Sequence, residues 1–380
     1  MQVKKLKLLN FRNYSEQEIE FGSGVNVIYG DNAQGKTNIL EAVHMFSMGK
    51  SNRTSKDAEL IRRGEDSARI YMEFSAYGSE SFFEIEVFRG RRKSIIYNDL
   101  PVKKSSELLG RFNVVYFGPE LLRLVKDGPK GRRRNLDMLI SQLRPGYFSA
   151  LTALKRVVES KNALLKMQSP NRIMLDVMNE KLTALSAELI SYRLDFIKRI
   201  ERLAGEIQHE ISSGSEELRM KYKSAIGMLS TETELTNADI AEAFSEKLSA
   251  AEPRELETGE SVISPHREDI LYEINGADAR AFASQGQQKT IALVEKLAEV
   301  SLIREEINET PVLLLDDIMS ELDRKRRSFV AANIKDIQIV ITCTDIDEFS
   351  ENAGLGGADA VKIYVSDGHA YTEPPNMKNE

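Results

Sequence analysis

Residues 30–37 (GDNAQGKT) carry the G-x-x-x-x-G-K-[ST] pattern of a phosphate-binding loop. The acidic strand that should complete such a loop, 312–317 (VLLLDD), lies near the opposite end of the 380-residue chain. This separation constrains the fold more than any other feature. Most of the protein is inserted between two halves of one site, so the chain must leave the nucleotide fold and return to finish it.

The loop is a specific signal, since a chance match in a chain this long is roughly a 1% event at ordinary residue frequencies. Residues 25–29 (VNVIY) read as a buried strand before it, and residues 37–48 as a helix with apolar residues at helical spacing. Gly30, Asp31, Asn32, Ala33, Gln34 and Gly35 can then curl backbone N–H groups around a phosphate at the positive end of that helix. Lys36 is placed to reach the β- and γ-phosphates of ATP, and Thr37 to offer its hydroxyl to Mg²⁺. Without its flanks the same segment would be a Gly-rich turn before an amphipathic helix.

Leu313, Leu314 and Leu315 bury the acidic strand and deliver two carboxylates at its end. Asp316 is the candidate Mg²⁺ ligand, and Asp317 the catalytic group that orients or deprotonates the attacking water, acting with Lys36. Adjacent acids after a strand also serve as turn or helix caps; the phosphate loop favours the metal site.

Composition excludes several classes. Cys343 is the only cysteine, so disulfide frameworks and thiolate metal clusters are out, and four histidines do not build a His-rich centre. The first residues lack the apolar run of a signal peptide, and no segment approaches a membrane span, so a cytoplasmic protein is expected. The net charge of −7 does not advertise a nucleic-acid binder. Local clusters do: Lys4, Lys5 and Lys7; Arg89, Arg91, Arg92 and Lys93; Arg123, Lys126, Lys130, Arg132, Arg133 and Arg134; and Arg324, Lys325, Arg326 and Arg327. Such clusters either neutralise DNA phosphates or form solvated helix faces and turns.

Residues 1–117 read mainly as strands, with 82–88 alternating and Asn98-Asp99 as a turn before Pro101. Beyond Pro119 the pattern becomes helical. Residues 147–165 and about 172–211 form two helices joined by a short break, which suggests an antiparallel helical arm, with an ordinary bundle as the alternative. After residue 262 strands return: 270–274 with an Asn275-Gly276 turn, 312–315, 337–342 and 361–365. Residues from Pro374 on read as disordered.

Residues 282–290 (FASQGQQKT) precede a helix and place Ser284 and Gly286 at its N-terminus, where hydroxyl and N–H groups can meet an anion. The segment resembles the signature loop of ABC-type ATPases, written L-S-G-G-Q: Ser284, Gly286 and Gln287 match, while Ala283 and Gln285 depart. Ser320-Glu321-Leu322-Asp323 stands where those ATPases carry their D-loop. Thr344 or Thr342 stands where they carry a switch residue, often His. The Q-loop position, Tyr116 to Glu120, contains no glutamine.

A closer resemblance rests on five stretches in order: 9–14 (LNFRNY), 30–37, 131–137 (GRRRNLD), 264–269 (SPHRED) and 284–290 (SQGQQKT). Together they resemble the RecF family of bacterial recombination mediators. The resemblance implies an α/β fold: an ABC-type P-loop ATPase head, like the SMC lobe, with an inserted α-helical arm domain. We expect 1–118 and 262–380 to form the head and 119–261 the arm. It also implies an ATP- and Mg²⁺-dependent homodimer, DNA binding without sequence preference, and slow, DNA-stimulated hydrolysis. Cooperation with RecO and RecR in loading RecA at damaged or gapped DNA, within the SOS response, is implied as well. Nucleotide contacts are then expected from Arg12, Asn13, Ser284, Gly286, Gln287, Asp323 and Thr344 as well as from the loop. The motor subunit of an ABC transporter shares the ATP-site motifs and is the alternative; a non-hydrolysing scaffold is a third reading.

Overall fold

The computed structural model describes residues 1–334, 336–346 and 360–372. The expectation of disorder from Pro374 on lies outside these residues. Strands β1 (Gln2–Phe11), β2 (Tyr14–Glu20) and β3 (Val25–Tyr29) lead into helix α1 (Lys36–Met48). Next come β4 (Ser67–Ala76), β5 (Ser79–Phe88), β6 (Ser94–Tyr97), β7 (Leu100–Pro101) and β8 (Val114–Phe117). Helices α2 (Pro129–Leu143), α3 (Pro145–Leu165) and α4 (Arg172–Ile211) are followed by β9 (Leu218–Ser224), β10 (Gly227–Ser230) and α5 (Asn237–Thr258). The chain then runs through β11 (Asp269–Ile274), β12 (Ala277–Asp278), α6 (Ala279–Phe282) and α7 (Gln285–Ile307). It ends on β13 (Val312–Asp316), α8 (Arg324–Asn333), β14 (Ile339–Cys343), β15 (Val361–Ser366) and β16 (His369–Tyr371).

Two compact units result: Met1–Leu122 with Glu299–Glu380, and Arg123–Ala298. Residues 262–298, expected with the head, fall in the second unit. Strand pairing is the reason. β11 lies between β9 and β12 in an antiparallel sheet of order β10-β9-β11-β12, so the chain stays in that unit until partway along α7.

The first unit closes the gap in the sequence. Its second sheet has the order β16-β15-β3-β14-β13-β8 and is parallel except at β16. Leu315 pairs with Ile341, and Ile341 with Val27, so one intervening strand separates the phosphate-loop strand from the acidic strand. β13 is buried at every position, as expected of a parallel strand covered on both faces. An antiparallel sheet, β2-β1-β4-β5-β6-β7, makes the other layer; β4 alternates and turns Ala68, Ile70, Met72, Phe74 and Ala76 inward. Asn98 and Asp99, at φ 45° and 65°, make the turn between β6 and β7. Helix α1 shares one apolar core with residues of both sheets, which is why it has almost no polar stripe.

In the second unit α4 spans 40 residues, about 60 Å at 1.5 Å per residue, and packs against both α3 and α5. The two-helix arm expected from the sequence is therefore a three-helix layer with a small sheet. Thr236 and Asp239 start α5 with a capping box.

Candidate nucleotide site

Positive-φ backbone shapes the phosphate loop. Gly30 and Gly35 sit at φ 140° and 115°. A Cβ on Gly30 would lie 2.2 Å from the Val365 carbonyl oxygen, and one on Gly35 would lie 2.5 Å from the Asn13 amide. Both positions need glycine, for conformation and for space. Lys36 opens α1 and is buried; its Nζ donates to the carbonyls of Gly30 and, at 2.7 Å, Asp31. Burial pushes its ammonium pKa down, while Asp317 leads the nearby acids that oppose this shift.

The two distant motifs meet at Asp316. Its Oδ1 accepts the Thr37 hydroxyl at 2.9 Å and the Thr342 hydroxyl at 2.8 Å, and its Oδ2 accepts the Tyr116 hydroxyl at 3.0 Å. Asp317 is left-handed at φ 51°, and its N–H donates to Thr342 Oγ1 at 2.9 Å. Both acids are thereby tied to the same Thr342 hydroxyl. Burial pushes the Asp317 carboxyl up, opposed first by the charge of Lys36. Thr37 and Asp316 form an all-oxygen pair of the kind Mg²⁺ takes, beside a loop whose glycine positions admit no side chain.

The turn between β1 and β2 braces the loop from behind. Asn13 Nδ2 donates to the Gln34 carbonyl at 2.7 Å, the Tyr14 hydroxyl to the Gly35 carbonyl at 3.1 Å, and Asn38 Nδ2 to Asn13 Oδ1 at 2.8 Å. Asp367 N–H reaches Gln34 Oε1 at 2.7 Å from the other side. Arg12 forks onto the buried Glu41 of α1, at 2.9 and 2.6 Å, and Arg53 joins the same carboxylate at 3.3 Å. Glu41 and Arg53 were not anticipated, since no motif announces them; Tyr116, read only as the start of the Q-loop position, donates to Asp316. Asp31, Asn32 and Ala33 form the exposed crest of the loop.

The remaining expected residues fall elsewhere. Ser284 is exposed and closes a reciprocal cap: its N–H donates to Gln287 Oε1 at 2.8 Å, and the Gln287 N–H donates to Ser284 Oγ at 3.2 Å. Gly286 follows in the first turn of α7, and its carbonyl accepts the Thr290 hydroxyl. Asp323 caps α8, accepting the Arg326 N–H at 2.9 Å. Of the two switch candidates, Thr342 contacts Asp316, whereas Thr344 is exposed just beyond β14.

The RecF/RecN/SMC N-terminal domain family matches residues 2–366. The DNA replication and repair protein RecF of Acetivibrio thermocellus is 39% identical over 98% of this chain and 100% of its own length. That of Clostridium beijerinckii is 40% identical over 99% and 100%. The chain belongs to the RecF family. A solved structure described as the recombination mediator protein RecF-ATP in the RecFOR pathway superposes with a TM-score of 0.87, at 33% identity over 97% of each chain. An Smc head domain from Pyrococcus furiosus matches at TM-score 0.53 and 20% identity, a likeness of fold alone. The fold is thus an ABC-type ATPase head with an inserted helical lobe.

Two stretches that carry the RecF resemblance, 131–137 and 264–269, meet inside the second unit. Arg132 is 2% exposed, forks onto Asp269 at 2.7 and 3.0 Å, and donates to the Leu124 carbonyl at 2.7 Å. Arg133 donates to the Glu268 carbonyl. Arg193 of α4, 1% exposed, joins Asp137 at 2.8 Å to Glu268, whose carboxylate also takes the Tyr222 hydroxyl. Arg132 therefore cannot hold DNA, and Arg133 is already engaged. Lys5 and Lys7 pair with Glu18, which draws that carboxyl down to about 2; Lys4 pairs with Glu80, Lys93 with Asp57, and Arg326 with Asp323. Arg91, Arg92, Lys126, Lys130, Arg324 and Lys325 are exposed.

Proposed function

We propose that this chain is an ATP-gated DNA-binding protein of replication and repair. Lys36, Thr37 and Asp316 bind ATP with Mg²⁺, and two copies close head to head with Ser284 and Gly286 of one over the phosphate loop of the other. Gln287 and the 320–323 turn flank that joint. The observation that carries the reading is the bond between Thr37 and Asp316 at 2.9 Å, which joins a hydroxyl and a carboxylate from opposite ends of the chain. A bound Mg²⁺ would neutralise phosphate charge there. Asp317 is placed to orient or deprotonate water beside Lys36, and burial, which raises its pKa, makes its carboxylate a better base. The exposure of Ser284 and Gln285 supports a role in trans.

Exposed arginines and lysines hold the DNA backbone without reading sequence, so affinity falls steeply with salt. Binding free energy from ATP shifts the population toward the dimer on DNA, and slow hydrolysis reopens it. The RecFOR pathway named for a solved RecF structure supports work alongside RecO and RecR; assistance to RecA in the cytoplasm belongs to the same proposal. Sedimentation with saturating Mg·ATP tests the central claim. Asp317→Asn should accumulate as a dimer that retains DNA, and Lys36→Ala should stay monomeric. An Asp317→Asn protein that remains monomeric would sink trans closure.

A further inference from the structure

The Ser284 turn does not stand alone. Gln287 uses both ends of its side-chain amide: Oε1 caps the turn at Ser284, and Nε2 donates to Glu216 Oε1 at 2.8 Å. The second oxygen of Glu216 accepts Nε2 of Gln208, a fully buried residue in the last turn of α4, at 2.5 Å. One carboxylate therefore bridges the end of the 40-residue helix and the signature turn.

The segment that carries Glu216 is itself held. Its N–H donates to Ser212 Oγ at 3.2 Å, and Ser215 Oγ donates to the Ser212 carbonyl at 2.8 Å. Asn275, in the turn between β11 and β12, bonds the same segment three times. Its Oδ1 accepts the Glu217 N–H at 2.7 Å, its own N–H donates to the Glu217 carbonyl at 2.9 Å, and its Nδ2 reaches the Ser215 carbonyl at 3.2 Å. Residues 215–217 thus anchor the strand turn that leads into α6 and the glutamine that caps α7. A carboxylate accepting two amide donors fixes both rotamers, because charge-assisted bonds are the stronger ones.

We infer that Glu216 is a positioning residue for dimer closure. It holds Gln287 in the rotamer that presents Ser284, and so ties the signature turn to the end of α4. This rests on the trans reading proposed above. Removing the carboxylate leaves Gln287 free to release the cap, and closure then carries the entropy of reordering the turn. Glu216→Gln should substitute well. Its new amide oxygen can keep Gln287, and its new NH₂ can donate to Gln208 Oε1, a buried acceptor with no partner among the described residues, once that side chain flips.

The test measures the dimer dissociation constant by sedimentation in saturating Mg²⁺ and a non-hydrolysable ATP analogue. Nucleotide affinity is measured separately at concentrations where the protein is monomeric. Glu216→Ala should weaken the dimer about tenfold and leave monomer affinity unchanged. Glu216→Gln should stay within about twofold of wild type, and Glu216→Ala with Gln287→Ala should be no weaker than Gln287→Ala alone. A wild-type dimer constant in Glu216→Ala would overturn the inference, as would an equal fall in monomer affinity or additive effects in the double variant. Should Glu216→Ala fail to fold, a tenfold loss in a folded Glu216→Gln would overturn it too. Ser284→Arg separates the two levels. If it still dimerises like wild type, the trans reading fails and takes this inference with it; if it does not, while Glu216→Ala closes normally, only the inference fails.

Discussion

The candidate nucleotide site of the first unit and the polar core of the second are both built from charged side chains far apart in sequence. They treat those charges in opposite ways. Around Asp316, hydroxyls of Thr37, Thr342 and Tyr116 converge on one carboxylate beside a loop with an exposed crest. Around Arg193, two carboxylates, a carbonyl and a tyrosine hydroxyl surround a guanidinium that is 1% exposed. The first arrangement can exchange a bond for one to a phosphate. The second has no such freedom, because a charge left unpaired in the interior is heavily penalised. A basic run in the sequence can belong to either kind of site, and burial decides which.

The largest effect should come from breaking the closed network. Arg193→Ala leaves Asp137 and Glu268 without their cation, and we expect a loss of about 3–5 kcal/mol of stability in denaturant unfolding. A loss below about 1 kcal/mol would show that the network behaves like a surface pair. Next, Lys36→Ala should weaken ATP binding about a hundredfold by calorimetry, the scale of a lost charge-assisted contact, with the thermal midpoint nearly unchanged. DNA binding sharpens the contrast within the basic clusters. Each of Arg91→Ala and Arg92→Ala should reduce the slope of log affinity against log salt by up to about 1. Arg132→Gln should instead lower stability and leave the slope of the folded protein where it was.

The smallest effect concerns Asp317. Burial raises its folded pKa, so ionisation is penalised in the folded state and not in the unfolded chain. The penalty is absent below the unfolded pKa of about 4, grows as pH rises through the folded value, and persists at neutral pH. Asp317→Asn should therefore raise the melting temperature at pH 7, with the gain disappearing as pH falls below about 4. Equal gains at both pH values would point to a cause other than ionisation.

Much of the fold was legible because its signals are local. β3, β8 and α4 begin and end where the apolar pattern does, since strand and helix periods are read within a few residues. β9 was missed: its sequence LRMKYKS alternates buried and exposed residues but lies in a stretch dominated by helical spacing. The unit boundary was displaced for a related reason, because β11 joins β9 only through long-range pairing. In the candidate site, Lys36, Thr37, Asp316 and Asp317 were named from their motifs. Glu41 was not, because an isolated acid in a helix carries no spacing of its own, and Tyr116 was placed at the Q-loop position with no sign that its hydroxyl meets Asp316.

The sequence alone determined that a phosphate loop and an acidic strand must be reunited, since each motif's chemistry is encoded in a few adjacent residues. Only the tertiary structure decided which groups complete them. Hydrogen bonds between residues hundreds of positions apart depend on the order of strands in a sheet, and no local pattern records that order. The same holds for the basic clusters. Their charge is written in the chain, but whether an arginine faces DNA or a buried aspartate depends on which surface the fold covers.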